Sequence, residues 1–355
     1  MACQFWSKHI AGSTPYVPGE QPTDGGYIKL NTNENPYPPS PLAAAAIQKS
    51  AFADLRKYPD NNCRSLRAAL AQLHGTDAGH VFVGNGSDEI LAFLFLAFFG
   101  EDKPVLFPDI SYSFYPVYAS FFQVPYQAVP VDDALQVHLE DYSSNQGCVL
   151  LANPNAPTGQ AISAAGIEAL VRDNPNRLII IDEAYADFGE ESVAYLVDQY
   201  DNLLVVRTFS KSWSLAGLRV GYALGHPDLI AGLELVKNSI NSYTLGTPAQ
   251  KGATAALSDM AYHDETVQKI IATRAESVKQ LNALGFHVLP SSANFVFATH
   301  PSAKAADLYA ALKQRKILVR HFKQPKIENY LRITIGTDEE MAALSQALRE
   351  ILDKR

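Results

Sequence analysis

Leu178-Ile179-Ile180-Ile181 is apolar at every position and runs straight into Asp182. Such a strand has no wet face, so it belongs in a sheet covered on both sides, the arrangement of parallel sheets between helices. Residues 203–206 and 148–152 have the same character. Shorter strands are expected at 81–83, 104–107 and 124–131, and helical segments separate the strands from about residue 81 to 225. Strands alternating with helices predict an α/β fold, whose ligand sites lie at strand ends. Those ends carry polar or aromatic side chains: Gly86-Ser87, Tyr112, Asn155, Asp182 with Tyr185, and Ser210-Lys211.

The chain has 355 residues, too many for one small core. After residue 225 the pattern turns helical. A long helix is expected over about 248–284, then strands at 286–289, 295–298, 317–320 and 331–335 with helices at 303–315 and 338–352. The reading is three segments: an N-terminal arm and small-domain piece (1–40), a large α/β domain (41–245), and a connecting helix with a smaller α+β domain (246–355). At the front, Ser40-Pro41 opens a helix, serine as cap and proline in its first turn.

With 47% hydrophobic and 19% charged residues the composition is that of an ordinary globular protein. A net charge of -8 without a basic tract argues against a nucleic-acid backbone or a membrane surface as partner. The apolar run 90–99 is too short to span a bilayer, and residues 1–11 lack the apolar core of a signal peptide. Cys3, Cys63 and Cys148 are isolated, without zinc spacing, which fits a reducing compartment. A cytoplasmic protein is expected.

Lys211 follows a buried strand and sits among hydroxyls, with Arg219 close behind. A neighbouring cation favours the free amine, the form that builds a Schiff base. Thr208, Ser210 and Arg219 would suit a phosphate. An exposed loop lysine beside a structural arginine reads equally well from this stretch alone. Asp182, at the end of a buried strand, needs a cation such as a protonated ring nitrogen; a capping or salt-bridged aspartate is the alternative. Gly84-Asn85-Gly86-Ser87 joins a strand to a helix, with Ser87 expected as cap and the helix amides free for an anion. It is neither a Walker loop nor a dinucleotide fingerprint. Tyr112 can stack on a planar ring or simply pack in the core. Arg320 and Arg332 lie on strands of the smaller sheet, either paired structurally or aimed at an anion.

Taken in order, Leu30-Asn31-Thr32-Asn33-Glu34-Asn35-Pro36, Tyr58-Pro59-Asp60, Gly84-Asn85-Gly86-Ser87-Asp88-Glu89, Asn153-Pro154-Asn155-Ala156-Pro157-Thr158-Gly159, Asp182-Glu183-Ala184-Tyr185, Thr208-Phe209-Ser210-Lys211, Ala216-Gly217-Leu218-Arg219 and Leu331-Arg332-Ile333 form a highly specific set. Over nearly the whole chain it resembles the fold-type I pyridoxal-phosphate aminotransferases, and within them the group acting on histidinol phosphate. The resemblance implies a mostly parallel seven-stranded sheet between helices with a smaller α+β domain, pyridoxal 5'-phosphate as cofactor, and no metal. It implies Lys211 as Schiff-base lysine and proton shuttle, Asp182 as ring-nitrogen partner, and Tyr185 as donor to the phenolic oxygen. Tyr112 matches the stacking aromatic. Gly86, Ser87, Ser210 and Arg219 match the phosphate cup, and Asp88 is counted with the cofactor-binding residues. Tyr58 matches a tyrosine that reaches the neighbouring subunit's cofactor phosphate, which implies a homodimer with shared sites. Many relatives have asparagine where Ala156 stands, so the asparagine role passes to Asn155.

For the substrate, the resemblance implies Asn35, Arg320 and Arg332, with Tyr16 donated from the partner's arm. A phosphate dianion suits two arginines. The expected reaction moves the amino group of L-histidinol phosphate to 2-oxoglutarate in histidine synthesis. The alternatives are an aromatic amino-acid aminotransferase, a phosphothreonine decarboxylase of the same fold, a non-catalytic sensor that binds the cofactor, and an unrelated nucleotide-binding α/β protein.

Overall fold

In the computed structural model, the three apolar runs lie side by side as parallel strands at the centre of a seven-stranded sheet. The structure describes residues 4–7, 10, 12–23, 25–53, 55–143, 147–189 and 191–353; Cys3 and much of 1–11 lie outside them. β1 (Ile28–Lys29), α1 (Pro41–Ala53) and α2 (Arg64–His74) come first. Then come β2 (Val81–Gly84), α3 (Gly86–Phe98), β3 (Val105–Pro108), α4 (Phe114–Phe121), β4 (Tyr126–Val129), β5 (Cys148–Ala152), α5 (Ala164–Asp173), β6 (Ile179–Asp182), β7 (Leu203–Thr208), β8 (Gly221–Gly225) and α6 (Pro227–Ile240). α7 (Thr247–Ala256) and α8 (Met260–Ala283) lead to β9 (His287–Val288), β10 (Phe295–Thr299), α9 (Ala305–Gln314), β11 (Ile317–Leu318), β12 (Arg320–His321), β13 (Leu331–Thr334) and α10 (Asp338–Leu352).

The large sheet runs β2-β8-β7-β6-β5-β3-β4, with only β8 antiparallel to its neighbours. Its central strands are apolar throughout because both faces are covered. Val149, Leu151, Ile179, Ile181, Leu203 and Val205 face one core, under Leu66 and Leu70 of α2, Ile167 of α5 and Ala253 of α7. The alternate residues Leu150, Ile180, Leu204 and Val206 face the other, under Ile90 and Leu94 of α3, Tyr115 of α4 and Leu233 of α6. This is the period-two alternation of a pleated strand with no wet side.

A four-stranded antiparallel sheet, β12-β13-β10-β9, packs Val296, Ala298, Leu331 and Ile333 against Leu308 of α9 and Leu344 of α10. Leu30 joins that core, and β1 pairs in parallel with β11, so the start of the chain is tied to its end. Ser40 Oγ accepts the Ala43 amide at 3.2 Å, in the capping role expected of it. The long helix expected over 248–284 is two helices. α7 packs Ala249, Ala253 and Ala256 on the large core, whereas α8 packs Val267, Ile270 and Leu281 on the small one. The break lies where the chain changes cores.

Candidate active site

β5, β6 and β7 end at one cavity, which Ala152, Asp182 and Thr208 line from below. Ser87, Asp88, Tyr112, Ala156, Tyr185, Ser210, Lys211 and Arg219 line it from the loops beyond those strands. Tyr16, Gly19, Asn31, Thr32 and Asn33 close it from the N-terminal segment, and Arg320 and Arg332 from the small sheet. The cavity thus sits between the two sheets, at the strand ends where α/β folds place ligands.

Asp182 is 5% exposed. Its Oδ2 accepts the Tyr115 hydroxyl at 2.9 Å and its Oδ1 the Ala184 amide at 3.2 Å. No salt bridge to Asp182 occurs among the described residues. Burial pushes its carboxyl up to about 6, against the pull of Tyr115 and Ala184. A buried carboxylate held this way has capacity left for a cation in the cavity. Tyr185 turns its ring edge-on to Phe295, and its hydroxyl accepts from Asn33 Nδ2 at 2.9 Å. That hydroxyl keeps its own proton to give. The Asn33 side-chain oxygen in turn accepts the Thr334 hydroxyl of β13 at 3.0 Å.

An anion cup lies at the start of α3. Gly86 has φ 78°, and a Cβ there would stand 2.6 Å from Arg219 Nη2. Arg219, itself at φ 54°, donates to Ser210 Oγ at 3.4 Å and to Asp88 Oδ2 at 3.0 Å. Thr208 donates its hydroxyl to Ser210 Oγ at 3.0 Å, which leaves the Ser210 proton free. Ser87 is not the cap expected of it: the helix begins at Gly86 with Asn85 before it, and Asn85 N donates to Glu89 Oε2 at 2.6 Å. The Ser87 hydroxyl therefore belongs to the cavity rather than to its own helix. Amides at a helix start, two serine hydroxyls and a guanidinium make a phosphate-sized set of donors. Tyr112 lines the cavity beside this cup, its hydroxyl donated to Asp88 Oδ1 at 2.8 Å. Burial, then Asp88, pushes that phenol well above its ordinary value, so it stays protonated.

Lys211 Nζ donates to the Thr32 carbonyl at 3.2 Å and stands 5.7 Å from the centre of the Tyr185 ring. Asn35 Nδ2 donates to the backbone carbonyls of Lys211 and Ser212, at 3.2 and 3.1 Å, and Asn35 is not part of the cavity lining. It holds the lysine's loop from outside, rather than meeting a substrate as expected.

On the far side, Arg332 Nη2 donates to the Asn31 carbonyl at 2.9 Å, and its buried Nε has no partner among the described residues. Burial lowers its proton affinity, and Arg320 adds to this. Arg320 donates to the carbonyls of Pro18 and Val17, both at 3.1 Å, and so clamps the arm. Asn31 Nδ2 bonds the Glu20 carbonyl at 2.8 Å. These bonds carry the chain's own Tyr16 into its own cavity, stacked on Phe114 at 4.2 Å. In this chain the arm is fastened to its own small sheet, so its Tyr16 lies in its own cavity.

Two further residues are not brought to the cavity. Asn155 donates to the Ile110 carbonyl at 2.9 Å and accepts the Ser111 hydroxyl at 2.8 Å, so its amide holds the turn, and Ala156 faces the cavity instead. Tyr58 is 81% exposed and stacks on Tyr243 at 4.6 Å. Sequence reasoning missed Tyr115 and Asn33. Tyr115 reads as one more core aromatic of an apolar helix. Asn33 lies in the polar, proline-closed run 31–39, and that setting is the available signal.

The aminotransferase class I and II family model matches residues 26–348. A histidinol-phosphate aminotransferase of a Marinomonas species is 54% identical over 98% of this chain and 99% of its own. One of Acinetobacter baylyi is 52% identical over 98% of this chain and 97% of its own. Among solved structures, a histidinol-phosphate aminotransferase of Sinorhizobium meliloti in complex with pyridoxal-5'-phosphate superposes with a TM-score of 0.88, at 26% identity and 99% coverage of both chains. A Thermus thermophilus aspartate aminotransferase variant shares the fold, with a TM-score of 0.81 at 18% identity and coverage of 98% of this chain and 100% of its own.

Proposed function

The chain belongs to the class I and II aminotransferases, and from that premise we propose that it transfers the amino group of L-histidinol phosphate to 2-oxoglutarate, with pyridoxal 5'-phosphate as cofactor, in histidine synthesis. The observation that carries the chemistry is Asp182, a buried carboxylate with no salt-bridge partner among the described residues, on the same cavity as an amine and an anion cup. The residues present fit the cofactor. Ser87, Ser210, Arg219 and the α3 amides would hold its phosphate, Asp182 its protonated ring nitrogen and Tyr185 its phenolic oxygen, with Tyr112 against the ring. When bound, the cofactor supplies an electron-accepting ring that makes a proton on the substrate's α-carbon labile. Lys211 Nζ takes up that proton and returns it on the other side of the exchange, the work of a positioned general base and acid. Tyr185 gives its hydroxyl proton as a hydrogen bond, oriented by Asn33.

Arg332 and Arg320 face the substrate's phosphate, and Tyr16, held in the cavity by the arm's bonds to Arg320, closes over it. Charge-assisted bonds from two guanidiniums favour a phosphate dianion over a carboxylate, and this separates histidinol phosphate from aromatic amino acids. The relatives' shared name at 54% and 52% identity supports the same choice. The test is a donor panel with 2-oxoglutarate, reading glutamate formed from histidinol phosphate, phenylalanine and phosphothreonine. Amino transfer from phenylalanine with none from histidinol phosphate would overturn the substrate assignment in favour of the aromatic enzyme.

The reading extends to a homodimer of shared sites in the cytoplasm. Exposed Phe52, Leu55 and Tyr58 support a second copy as partner, at 88%, 63% and 81% exposure. Cys63 and Cys148 are free thiols, as a reducing compartment would keep them. No helix among the described residues is long and apolar enough to cross a membrane. The same reading divides the chain at 1–40, 41–245 and 246–355, with α7 packed on the large core before α8 crosses to the small one.

A further inference from the structure

Next to the lysine loop, outside the cavity lining, lies a group of charges to which amino transfer gives no task. Asp187 receives Arg207 Nη2 on Oδ1 and the Ser212 hydroxyl on Oδ2. His263 of α8 stands 3.8 Å from that same Oδ2 and stacks on Trp213 at 4.0 Å. Three segments therefore meet at one carboxylate: β7 through Arg207, the loop through Ser212, and the helix leading to the small sheet through His263. Burial would push Asp187 up, but Arg207 and then His263 hold it well below the ordinary carboxylate range, so it is a charged acceptor at neutral pH. Hydrogen bonds to a charged acceptor are roughly twice as strong as neutral ones.

Ser212 follows Lys211 directly, and the turn they share is irregular, with Ser214 at φ 58°. Within it Ser214 N donates to the Lys211 carbonyl at 3.4 Å and Leu215 N to the Phe209 carbonyl at 3.1 Å, which closes a turn but builds no helix or strand around Lys211. A long, flexible amine reaches a fixed point reliably only from a fixed backbone. We propose that Asp187 is a positioning residue for Lys211, fixing through the Ser212 hydroxyl the backbone from which the amine reaches the cavity. Asn35 holds the same two residues by their carbonyls. The loop is thus pinned by an amide on its backbone and by a carboxylate on its side chain. This rests on the amino-transfer reading for its consequence, though not for the tether itself.

Ser212→Ala removes the hydroxyl and leaves the Arg207–Asp187 pair intact. In the cofactor-free protein, amide exchange across residues 209–214 is expected to rise by about tenfold, with β7 exchange and the thermal midpoint unchanged. In the loaded protein, kcat is expected to fall by about tenfold with KM within about twofold, and the pH midpoint of the near-visible absorbance to shift. Asp187→Asn should raise exchange over 209–214 and lower kcat further, with a lower thermal midpoint as well because it also breaks the buried pair with Arg207, so Ser212→Ala is the deciding variant. Unchanged exchange over 209–214 in Ser212→Ala would overturn the proposal. So would a loss of kcat that merely follows a lower thermal midpoint, with exchange raised throughout the chain. If the unaltered protein transfers no amino group from any donor, the functional reading fails, while the exchange measurement still decides the tether.

Discussion

Asp182 keeps a charge in a buried place with a phenol and an amide as its partners. Its carboxyl lies at about 6 in the folded chain, above the ordinary value of about 4. The folded state then holds the proton more tightly than the unfolded one. The stability this group contributes is complete below about pH 4 and is lost as pH rises through 6, about 3 kcal/mol in all. In Asp182→Asn without cofactor that loss should vanish, leaving the variant more stable than the unaltered protein by about 1–3 kcal/mol at pH 7.5, as measured by urea unfolding. The same variant should lose turnover by at least about a hundredfold. A variant less stable at pH 7.5 would show that the carboxylate is not strained when the cavity is empty of cations. Asp182 was legible because a charge at the end of an apolar strand is rare enough to need a reason. Asn155 was misread because the sequence says that a turn is polar but not which way each amide points; there the side chain satisfies its own loop. Tyr115 was missed because nothing in an aromatic run marks which hydroxyl meets a carboxylate.

The start of α3 shows how far an element can be read and where reading stops. Two glycines between a strand and a helix announce a close approach, and the structure names what approaches. A Cβ on Gly86 would meet the end of the Arg219 side chain, whereas one on Gly221 would stand 2.5 Å from the backbone at Gly86 and Ser87. The two substitutions should therefore part company. Gly86→Ala can be accommodated by moving Arg219, so the protein should fold with a stability loss of about 1–2 kcal/mol from the positive φ. Its cofactor affinity, followed by absorbance titration, should fall by about ten- to a hundredfold as the guanidinium leaves the cup. Gly221→Ala meets backbone that cannot step aside and should cost 3 kcal/mol or more, roughly, in unfolding experiments. Equal effects on folding from both would refute this account of the cradle. The break between α7 and α8 was beyond the sequence for a related reason. Periodicity shows that a face is apolar, and two helices in a row present one continuous pattern even when their faces meet different cores.

At the scale of the whole molecule the outward-facing Tyr58 is the informative residue. It lies outside its own chain's cavity, held by the Tyr243 stack, while the loop behind it is pinned by Lys237 Nζ on the Asn61 carbonyl at 3.1 Å. Its exposure and its stack on Tyr243 support a contact with something outside the chain. If that is the phosphate end of a second copy's cavity, each site takes its Lys211 from one chain and its Tyr58 from the other. Tyr58→Ala and Lys211→Ala would then each be impaired alone. After the two are mixed and allowed to exchange subunits, half of the dimers are mixed, and each of those has one site carrying both lesions and one carrying neither. Activity should return to about a quarter of the unaltered level. Had Tyr58 served its own chain's cavity, every site of the mixed dimer would carry one lesion and mixing would restore nothing. A sizing experiment showing monomers at working concentration would remove the shared site together with the rescue.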